Sequence, residues 1–420
     1  MQFVIQVGGK GTRVKSITKG NPKALIKLNN KTILDHQLKI IKRYSKKKII
    51  ILNNIKYKNI ETYLKRKKNI KFSIINEKKP LGTAGSLFEL KNSKQTLFAL
   101  VYGDLIFDFN FNELKKFHLK KNSDLTLVTH PNDHPFDSDK VSLDKNLKVT
   151  NFYKKKSKEK KHGNQCLSGI CLFNNKILRY LEKDKFQDFS THLISKLMKE
   201  NVKIFGYITR EYIKDAGTIK RIKQVEKDII DKKPKLLSFK KKIPAVFLDK
   251  DGVINEDLYN TKYQDIRRIY SKVPAAIKKI NDSNYLAIVV TNQPSIAKGF
   301  VREKKVQNDF RYLESSLSKY KSHINRIYYC PHHPEKGFKG EIKKYKIQCK
   351  CRKPNNGMIL QAIKDFNIDK KKSVLVGDRP VDYIAAKKSK IKFFLINKKI
   401  SIKNVKKFKN LFEFSKYYFN

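Results

Sequence analysis

Short apolar, β-rich runs alternate with helix-like stretches along this sequence, and they do so in two separate series. The first series has β-rich runs at residues 2–7, 49–52, 96–101 and 124–129, with helical periodicity between them, as at residues 33–44. The second begins at residues 245–248 and continues at 286–291, 373–376 and 391–396. Continuous apolar runs separated by helices are the pattern of strands buried on both faces. The alternation therefore predicts α/β architecture with mainly parallel sheets, in two Rossmann-like domains. Residues 231–244 separate the series; they are basic, carry Pro234 and Pro244, and lack clear periodicity. The predicted boundaries are 1–232 for the first domain, 233–243 for a linker, 244–400 for the second domain and 401–420 for a basic helical tail. With 420 residues, each domain has enough chain to bury its own core. Residues 151–163 read as a Lys-rich loop, expected to be mobile.

The net charge of +57 is high, but Lys greatly outnumbers Arg and is scattered among Ile and Asn. That is the pattern of a Lys/Asn/Ile-biased genome with solvated lysine faces; a nucleic-acid binder would cluster its cations with aromatics. The charge favours anionic substrates and weak, salt-sensitive contact with polyanions. No apolar run reaches the roughly 18 residues of a membrane span, and the first residues lack a basic leader and cleavage site. The chain reads as cytoplasmic. Of five cysteines, Cys166 and Cys171 are isolated, while Cys330, Cys349 and Cys351 lie close together near His332 and His333. In a cytoplasmic chain that grouping suggests a metal before a disulfide.

The first β-run opens into Gly8-Gly9-Lys10-Gly11-Thr12-Arg13. Glycines directly after a buried strand let backbone N–H groups approach phosphate oxygens closely. Lys10, Arg13 and, shortly after, Lys23 of a Pro-Lys pair add cations for a polyphosphate. A second small-residue loop, with Gly82, Thr83 and Gly85, offers backbone against which a base or sugar could lie. Asp104 ends one strand and Asp215 another; two carboxylates and a triphosphate are the usual way to hold Mg²⁺.

In this order, these motifs resemble the sugar-1-phosphate nucleotidyltransferase family over roughly residues 1–230. The resemblance implies in-line attack of a sugar 1-phosphate on the α-phosphate of a nucleoside triphosphate, with release of pyrophosphate. Such chemistry needs positioning and charge neutralisation. It gives Arg13 the triphosphate, Lys23 the reacting phosphates, Gly8, Gly9, Gly11 and Thr12 a share in phosphate binding, and Asp104 with Asp215 the magnesium. Three departures stand out: Gln6-Val7 in place of Leu-Ala, Lys154 where the family has a sugar-binding Glu, and Ser168-Gly169 where an Asn-containing motif is common.

In the second series, Asp249 and Asp251 stand two apart at the end of a buried run, so both carboxylates start on the same side. That suits one reacting phosphate, with Asp249 as nucleophile and Asp251 as acid and then base. Thr291, Asn292 and Gln293 supply hydroxyl and amide donors at another strand end, and Arg352 and Lys353 supply cations. Asp378 and Asp382 follow a further run with carboxylates for Mg²⁺. These are the motifs of the haloacid dehalogenase superfamily. Within it, residues 244–400 resemble the D-glycero-D-manno-heptose 1,7-bisphosphate phosphatases, which implies Asp249, Asp251 and Asp378 at the magnesium. Pro294 departs from the small or polar residue usual after Thr-Asn-Gln.

Cys330, His332, Cys349 and Cys351 form a C-x-H…C-x-C set sufficient for a closed, structural zinc site that would pin the loop bearing Arg352 and Lys353. His333 is the alternative ligand; the family pattern favours His332. Two enzymes on one chain suggest consecutive steps: the phosphatase makes a heptose 1-phosphate, and the transferase loads it onto a nucleotide. Transferases of this fold that act on heptose use GTP. Two other readings are a degenerate N-terminal module beside an active phosphatase, and a nucleic-acid 3′-end phosphatase.

Overall fold

The computed structural model describes residues 1–9, 11–54, 57–67, 70–132, 135–155, 157, 159, 162–256, 268–396 and 400–420. Lys10 and part of the Lys-rich loop lie outside them. The chain divides into two compact units. One comprises Met1–His130, Leu143–Lys154 and Leu167–Phe239; the other comprises Pro131–Ser142, Lys155–Cys166 and Lys240–Asn420. Two short segments of the first series thus belong to the second unit. One of them is tied in by the Gly163 N–H, which donates to Ser315 Oγ at 3.0 Å.

In the first unit, β1 (Gln2–Gln6), β2 (Ile49–Asn54), β3 (Phe72–Glu77) and β4 (Leu97–Tyr102) form the parallel part of a larger mixed sheet, in the order β4-β1-β2-β3, and β4 also pairs antiparallel in the register Cys171↔Leu100. Val4, Ile5, Ile51 and Val101 are fully or almost fully buried, as parallel strands covered on both faces require. A tight turn at Gly103 leads from β4 into β5 (Leu105–Phe107), which pairs antiparallel with β6 (Ile213–Asp215) in the register Asp215↔Leu105. Helix α1 (Ile33–Ile41) starts on a capping box between Thr32 and Asp35. From α1, the buried Gln37 amide donates to Tyr102 O and Leu105 O at 2.9 and 2.8 Å, bracing the turn that carries Asp104. Helices α2 (Lys58–Lys65) and α3 (Ile219–Ile230) complete the parts used below.

The second unit is built on six parallel strands. Its central strand is β7 (Ala245–Leu248), flanked by β8 (Leu286–Asn292) and β10 (Val374–Gly377). Outside these lie β9 (Arg326–Cys330) on one side, and β11 (Lys392–Ile396) then β12 (Lys407–Phe408) on the other. From β7 the chain builds outward through β8 and β9, then returns to the other side of β7. That reversal is the topological switch point at whose carboxyl ends open α/β sheets place their ligands. The covering helices are α4 (Val273–Asp282), α5 (Glu303–Ser318), α6 (Gly357–Phe366), α7 (Pro380–Ser389) and α8 (Leu411–Tyr418).

The last twenty residues differ from the basic tail expected. β12 extends the sheet, and α8 buries Leu411 and Phe414 against Phe394 of β11, the Phe394 and Phe414 rings lying 5.1 Å apart. Two of the lysines that disguise this segment lie over aromatic rings: Lys406 Nζ sits 3.5 Å from the centroid of Tyr417 and Lys416 Nζ 5.0 Å from that of Phe412. The expected linker also has structure. Residues Lys233–Leu236 form a helical turn, and the Arg210 guanidinium donates to Leu237 O at 2.8 Å and Ser238 O at 3.4 Å. Among the described residues, no helix is long and apolar enough to cross a membrane.

Candidate active sites

At the switch point of the second unit, β7 delivers Asp249, whose backbone N–H donates to Val376 O of β10 at 3.0 Å. Lys353 reaches into the same space, with Nζ 2.7 Å from Asp249 Oδ1 and 2.6 Å from Asp382 Oδ1. All three side chains are nearly or wholly withdrawn from solvent. Burial alone would drive Lys353 to its neutral form, but the two carboxylates more than offset this and push its pKa up. Burial pushes the Asp249 carboxyl up in turn, and the Lys353 ammonium opposes that shift. Sequence reading placed Asp382 in a metal-binding motif without seeing this bridge. At the start of α7, its other oxygen accepts the Arg379 N–H at 3.2 Å.

Asp249, Asp378 and Asp382 have carboxylate oxygens within 4.8 Å of one another, a donor set suited to a divalent cation. Asp251, expected among the magnesium ligands, is not in this group. Its carboxylate is taken by Lys250, by the Asn255 amide at 2.9 Å and by the Gln293 amide at 3.2 Å. Burial raises its pKa, but the Lys250 ammonium and these hydrogen bonds outweigh burial and lower it. Gly252 makes room for the cluster: it has φ of +83°, and a Cβ there would run into the Asp378 carboxylate.

The donors expected on β8 are partly committed. Thr291 Oγ1 accepts from the Gln293 amide at 3.0 Å. Asn292 makes a reciprocal pair with the Lys353 backbone: its amide donates to Lys353 O and its carbonyl accepts the Lys353 N–H, both at 3.0 Å. Asn292 therefore orients Lys353 through its side chain. Pro294 fits its position, opening the helical turn Pro294–Ala297 where a fixed φ suits and no N–H is needed.

The cysteine cluster assembles. Sγ of Cys330, Cys349 and Cys351 lie 3.1–3.5 Å apart, and His332 Nδ1 lies 3.3 Å from Cys351 Sγ and 3.5 Å from Cys330 Sγ. These distances are too long for disulfides and suit a four-coordinate N/S site. His332 completes the set, while His333 faces Glu335 and the Phe338 ring. Arg352, expected at substrate, braces this loop by donating to His332 O at 3.2 Å.

In the first unit the β5–β6 pairing brings Asp104 and Asp215 side by side, with the Ala216 N–H donating to Asp104 O at 2.8 Å. Lys23 Nζ is 3.0 Å from Asp104 Oδ2. Asp215 accepts from Arg221 at 3.0 and 3.2 Å and from the Gly217 N–H at 2.8 Å. Arg221, from the first turn of α3, was not anticipated. The Arg13 guanidinium lies beside Gly217, 3.5 Å from where a Cβ would sit, and Gly11 lies beside the Lys23 side chain. Gly8 passes close to the Asn54 backbone, Gly9 O accepts from the Tyr57 hydroxyl at 3.2 Å, and Thr12 opens the turn Thr12–Val14. Arg13, Lys23, Asp104 and Asp215 thus converge.

The second small-residue loop is turned inward. The Ala84 and Gly85 N–H groups donate to Gln187 O at 2.8 and 3.1 Å, and Thr83 Oγ1 donates to Asp188 at 2.9 Å. A Cβ on Gly82, whose φ is +79°, would lie 2.5 Å from Gln187 O, so this glycine is required by packing. The departing Gln6 joins the same loop through Ser86 Oγ at 3.0 Å. Lys154 is exposed, and Ser168 Oγ accepts the Ile170 N–H at 3.2 Å.

Residues 2–232 match the nucleotidyl transferase family, and residues 345–396 match the haloacid dehalogenase-like hydrolases. The chain belongs to both families: it is a nucleotidyltransferase joined to a phosphatase. Its phosphatase half belongs with the D-glycero-D-manno-heptose-1,7-bisphosphate 7-phosphatases. It is 42% identical over 149 residues to the β-anomer enzyme of Haemophilus ducreyi, covering 35% of this chain and 79% of that relative. Against the α-anomer enzyme of Photorhabdus laumondii it is 41% identical over 151 residues, covering 36% of this chain and 80% of that one. Among solved structures, HddC from Yersinia pseudotuberculosis matches with a TM-score of 0.48 and 22% identity, covering 54% of this chain and 99% of that one.

Proposed function

We propose that this chain removes the 7-phosphate of a D-glycero-D-manno-heptose 1,7-bisphosphate and then joins the heptose 1-phosphate to GMP from GTP, releasing pyrophosphate. The observation that carries the reading is the buried Asp249–Lys353–Asp382 bridge at the switch point, in a domain 42% identical to a phosphatase of that substrate. The Asp249 carboxylate, held ionised by Lys353, attacks phosphorus. The bond from phosphorus to the 7-oxygen breaks, and Asp251 protonates the leaving oxygen. Water then attacks the aspartyl phosphate while Asp251, placed by Asn255 and Gln293, takes its proton. Thr291 and the backbone around Asn292 hold the phosphoryl oxygens. Magnesium, for which Asp249 and Asp378 are fitting donors, would neutralise phosphoryl charge when bound. The Cys330–His332–Cys349–Cys351 set suits a zinc with no open position, tethering Arg352 and Lys353.

In the first unit, Arg13 and Lys23 bind and align the triphosphate, and Asp104 and Asp215 suit a second magnesium. GTP is the nucleotide that resemblance to heptose-acting members of the fold implies. The enzyme would act in the cytoplasm on small sugar phosphates.

The test is ³¹P NMR of the full chain with Mg²⁺, each nucleoside triphosphate and each anomer of the bisphosphate. The 7-phosphate resonance should disappear first, followed with GTP by a paired diphosphate signal and pyrophosphate. Phosphate release without transfer from any nucleotide would leave the N-terminal half a degenerate module. Equal or faster hydrolysis of a 3′-phosphorylated oligonucleotide would sink the sugar assignment.

A further inference from the structure

A cavity of about 790 Å³ opens in the first unit between the segment after Arg13 and helix α2. That size falls in the range of about 300–1,000 Å³ typical of small-molecule sites. Pro22, Leu25 and Ile26 give it an apolar wall, and Lys27, Lys58 and Arg66 give it three cations. Among the described residues no carboxylate lines it. The nearby acids are already matched: Glu61 pairs with Lys65 at 2.9 Å, and Asp35 with Lys67 at 2.8 Å and the Tyr63 hydroxyl at 2.5 Å. Among the described residues Lys27, Lys58 and Arg66 make no ion pair. Three unmatched like charges around one concavity repel each other and concentrate anions there. Lys58 also opens α2, where a cation opposes the helix dipole, so its place is unfavourable for the helix alone.

We propose that this cavity is a second binding site for a phosphate monoester of a small organic molecule. The phosphate would lie among Lys27, Lys58 and Arg66, and the organic part against Pro22–Ile26 and Tyr63. None of the residues that converge on Asp104 and Asp215 lines it. It adjoins them through the chain, because Pro22 in its wall precedes Lys23, and Asn59 of α2 hydrogen-bonds Asn21. An occupant that braces residues 21–27 fixes the backbone carrying Lys23. The site thereby tunes nucleotide binding, a consequence that rests on the role proposed for Lys23.

Hydrogen exchange of the full chain, read by mass spectrometry with ribose 5-phosphate, GMP or sulfate at equal ionic strength, tests binding directly. Peptides spanning 15–27 and 58–66 should be protected by one of the two esters, and the better of them identifies a sugar phosphate or a nucleotide as the occupant. Half-saturation should weaken at least about tenfold in the exposed-site double variant K58A/R66A and stay unchanged in D104N, with both variants melting as the parent does. Absence of protection, equal protection by sulfate, or protection indifferent to K58A/R66A would each overturn the site. The same ester should shift KM for GTP at least about threefold in the parent and not in K58A/R66A. Binding without that shift would overturn the link to Lys23. Because the exchange measurement needs no turnover, it stands even if the transferase proves inactive.

Discussion

At the end of β7 the charges are sealed in: Lys353 and Asp382 have 2% and 0% of their side chains exposed. At the end of β4 the corresponding ion pair is more open, with Lys23 at 16% and Asp104 at 25%. The first arrangement is fixed by strand ends, by the Asn292 clamp on the Lys353 backbone and by the α7 N-terminus. The second hangs on loops braced by Gln37 and α3. The difference suits the two chemistries proposed. A covalent step needs one carboxylate held ionised and aimed at phosphorus, which a dry, preorganised site supplies. Nucleotidyl transfer between two bound phosphates needs alignment and neutralisation, and on that reading Lys23 would part from Asp104 as a nucleotide and metal enter.

The largest effects should therefore be separable. Asp249→Asn removes the proposed nucleophile and should lower bisphosphate hydrolysis by about 10,000-fold or more while leaving transfer to heptose 1-phosphate within about twofold. Asp104→Asn should do the reverse, with a loss of about 100- to 1,000-fold in transfer alone. Paired phosphate-release and pyrophosphate-release assays read both. Loss of both activities in either variant would break the contrast between two independent sites.

A smaller change sharpens it. Asp382→Asn strands one end of the buried Lys353, and breaking a buried pair in this way costs about 3–5 kcal/mol. The loss should divide between the melting temperature and hydrolysis, with transfer unchanged. The equivalent change in the more open site, Arg221→Gln beside Asp215, should cost less, about 1 kcal/mol of stability, because both side chains keep contact with solvent. Equal destabilisation would mean that burial is not what distinguishes the two centres. Stripping metal with a thiol-tolerant chelator and restoring Mg²⁺ alone should weaken hydrolysis at least about tenfold through the freed Cys330–Cys351 loop and leave transfer intact. Unchanged hydrolysis would remove the cysteine cluster from the argument.

What the sequence disclosed follows the same division. The motifs ending β7, β8 and β10 were legible because buried parallel strands are written as apolar runs, and a polar cluster directly after one has little else to do. The partnership of Lys353 with Asp382 was not, since a parallel crossover separates the two in sequence and only the assembled sheet brings them together. Asn292 was read as a phosphate donor because its type suits that task; its turn toward the Lys353 backbone is a tertiary fact. In the first unit, Gly82-Thr83-Ala84-Gly85 looked like a ligand loop, whereas its N–H groups meet Gln187, about a hundred residues away. β12 and α8 were hidden because lysines interrupt their apolar pattern, and the cation–π contacts that accommodate Lys406 and Lys416 have no sequence period. The grouping of Cys330, His332, Cys349 and Cys351 was legible from spacing, and in the structure it is His332, not His333, whose ring nitrogen lies with the three sulfurs.

Buried acids should also make both units respond to pH. In the second unit burial raises the pKa of Glu314, on α5, to about 7. In the first, Glu211 lies buried with the backbone N–H groups of Asn110 and Phe239 donating to it at 3.2 and 3.0 Å. Burial raises its pKa to about 7, and these hydrogen bonds and Arg210 only partly offset the rise. An acid whose folded pKa lies above its unfolded value binds more protons folded than unfolded between the two. Its contribution is complete below the unfolded value near 4.5 and is lost as pH rises through about 7. The first unit should thus lose up to about 3 kcal/mol of stability across that interval. Glu211→Gln keeps an acceptor for both N–H groups and should flatten the loss, leaving the variant more stable than the parent at pH 8 and close to it at pH 4.5. Urea melts at several pH values, followed by hydrogen exchange in each unit separately, would show it. A parent curve that is already flat would mean that Glu211 stays ionised in its buried position.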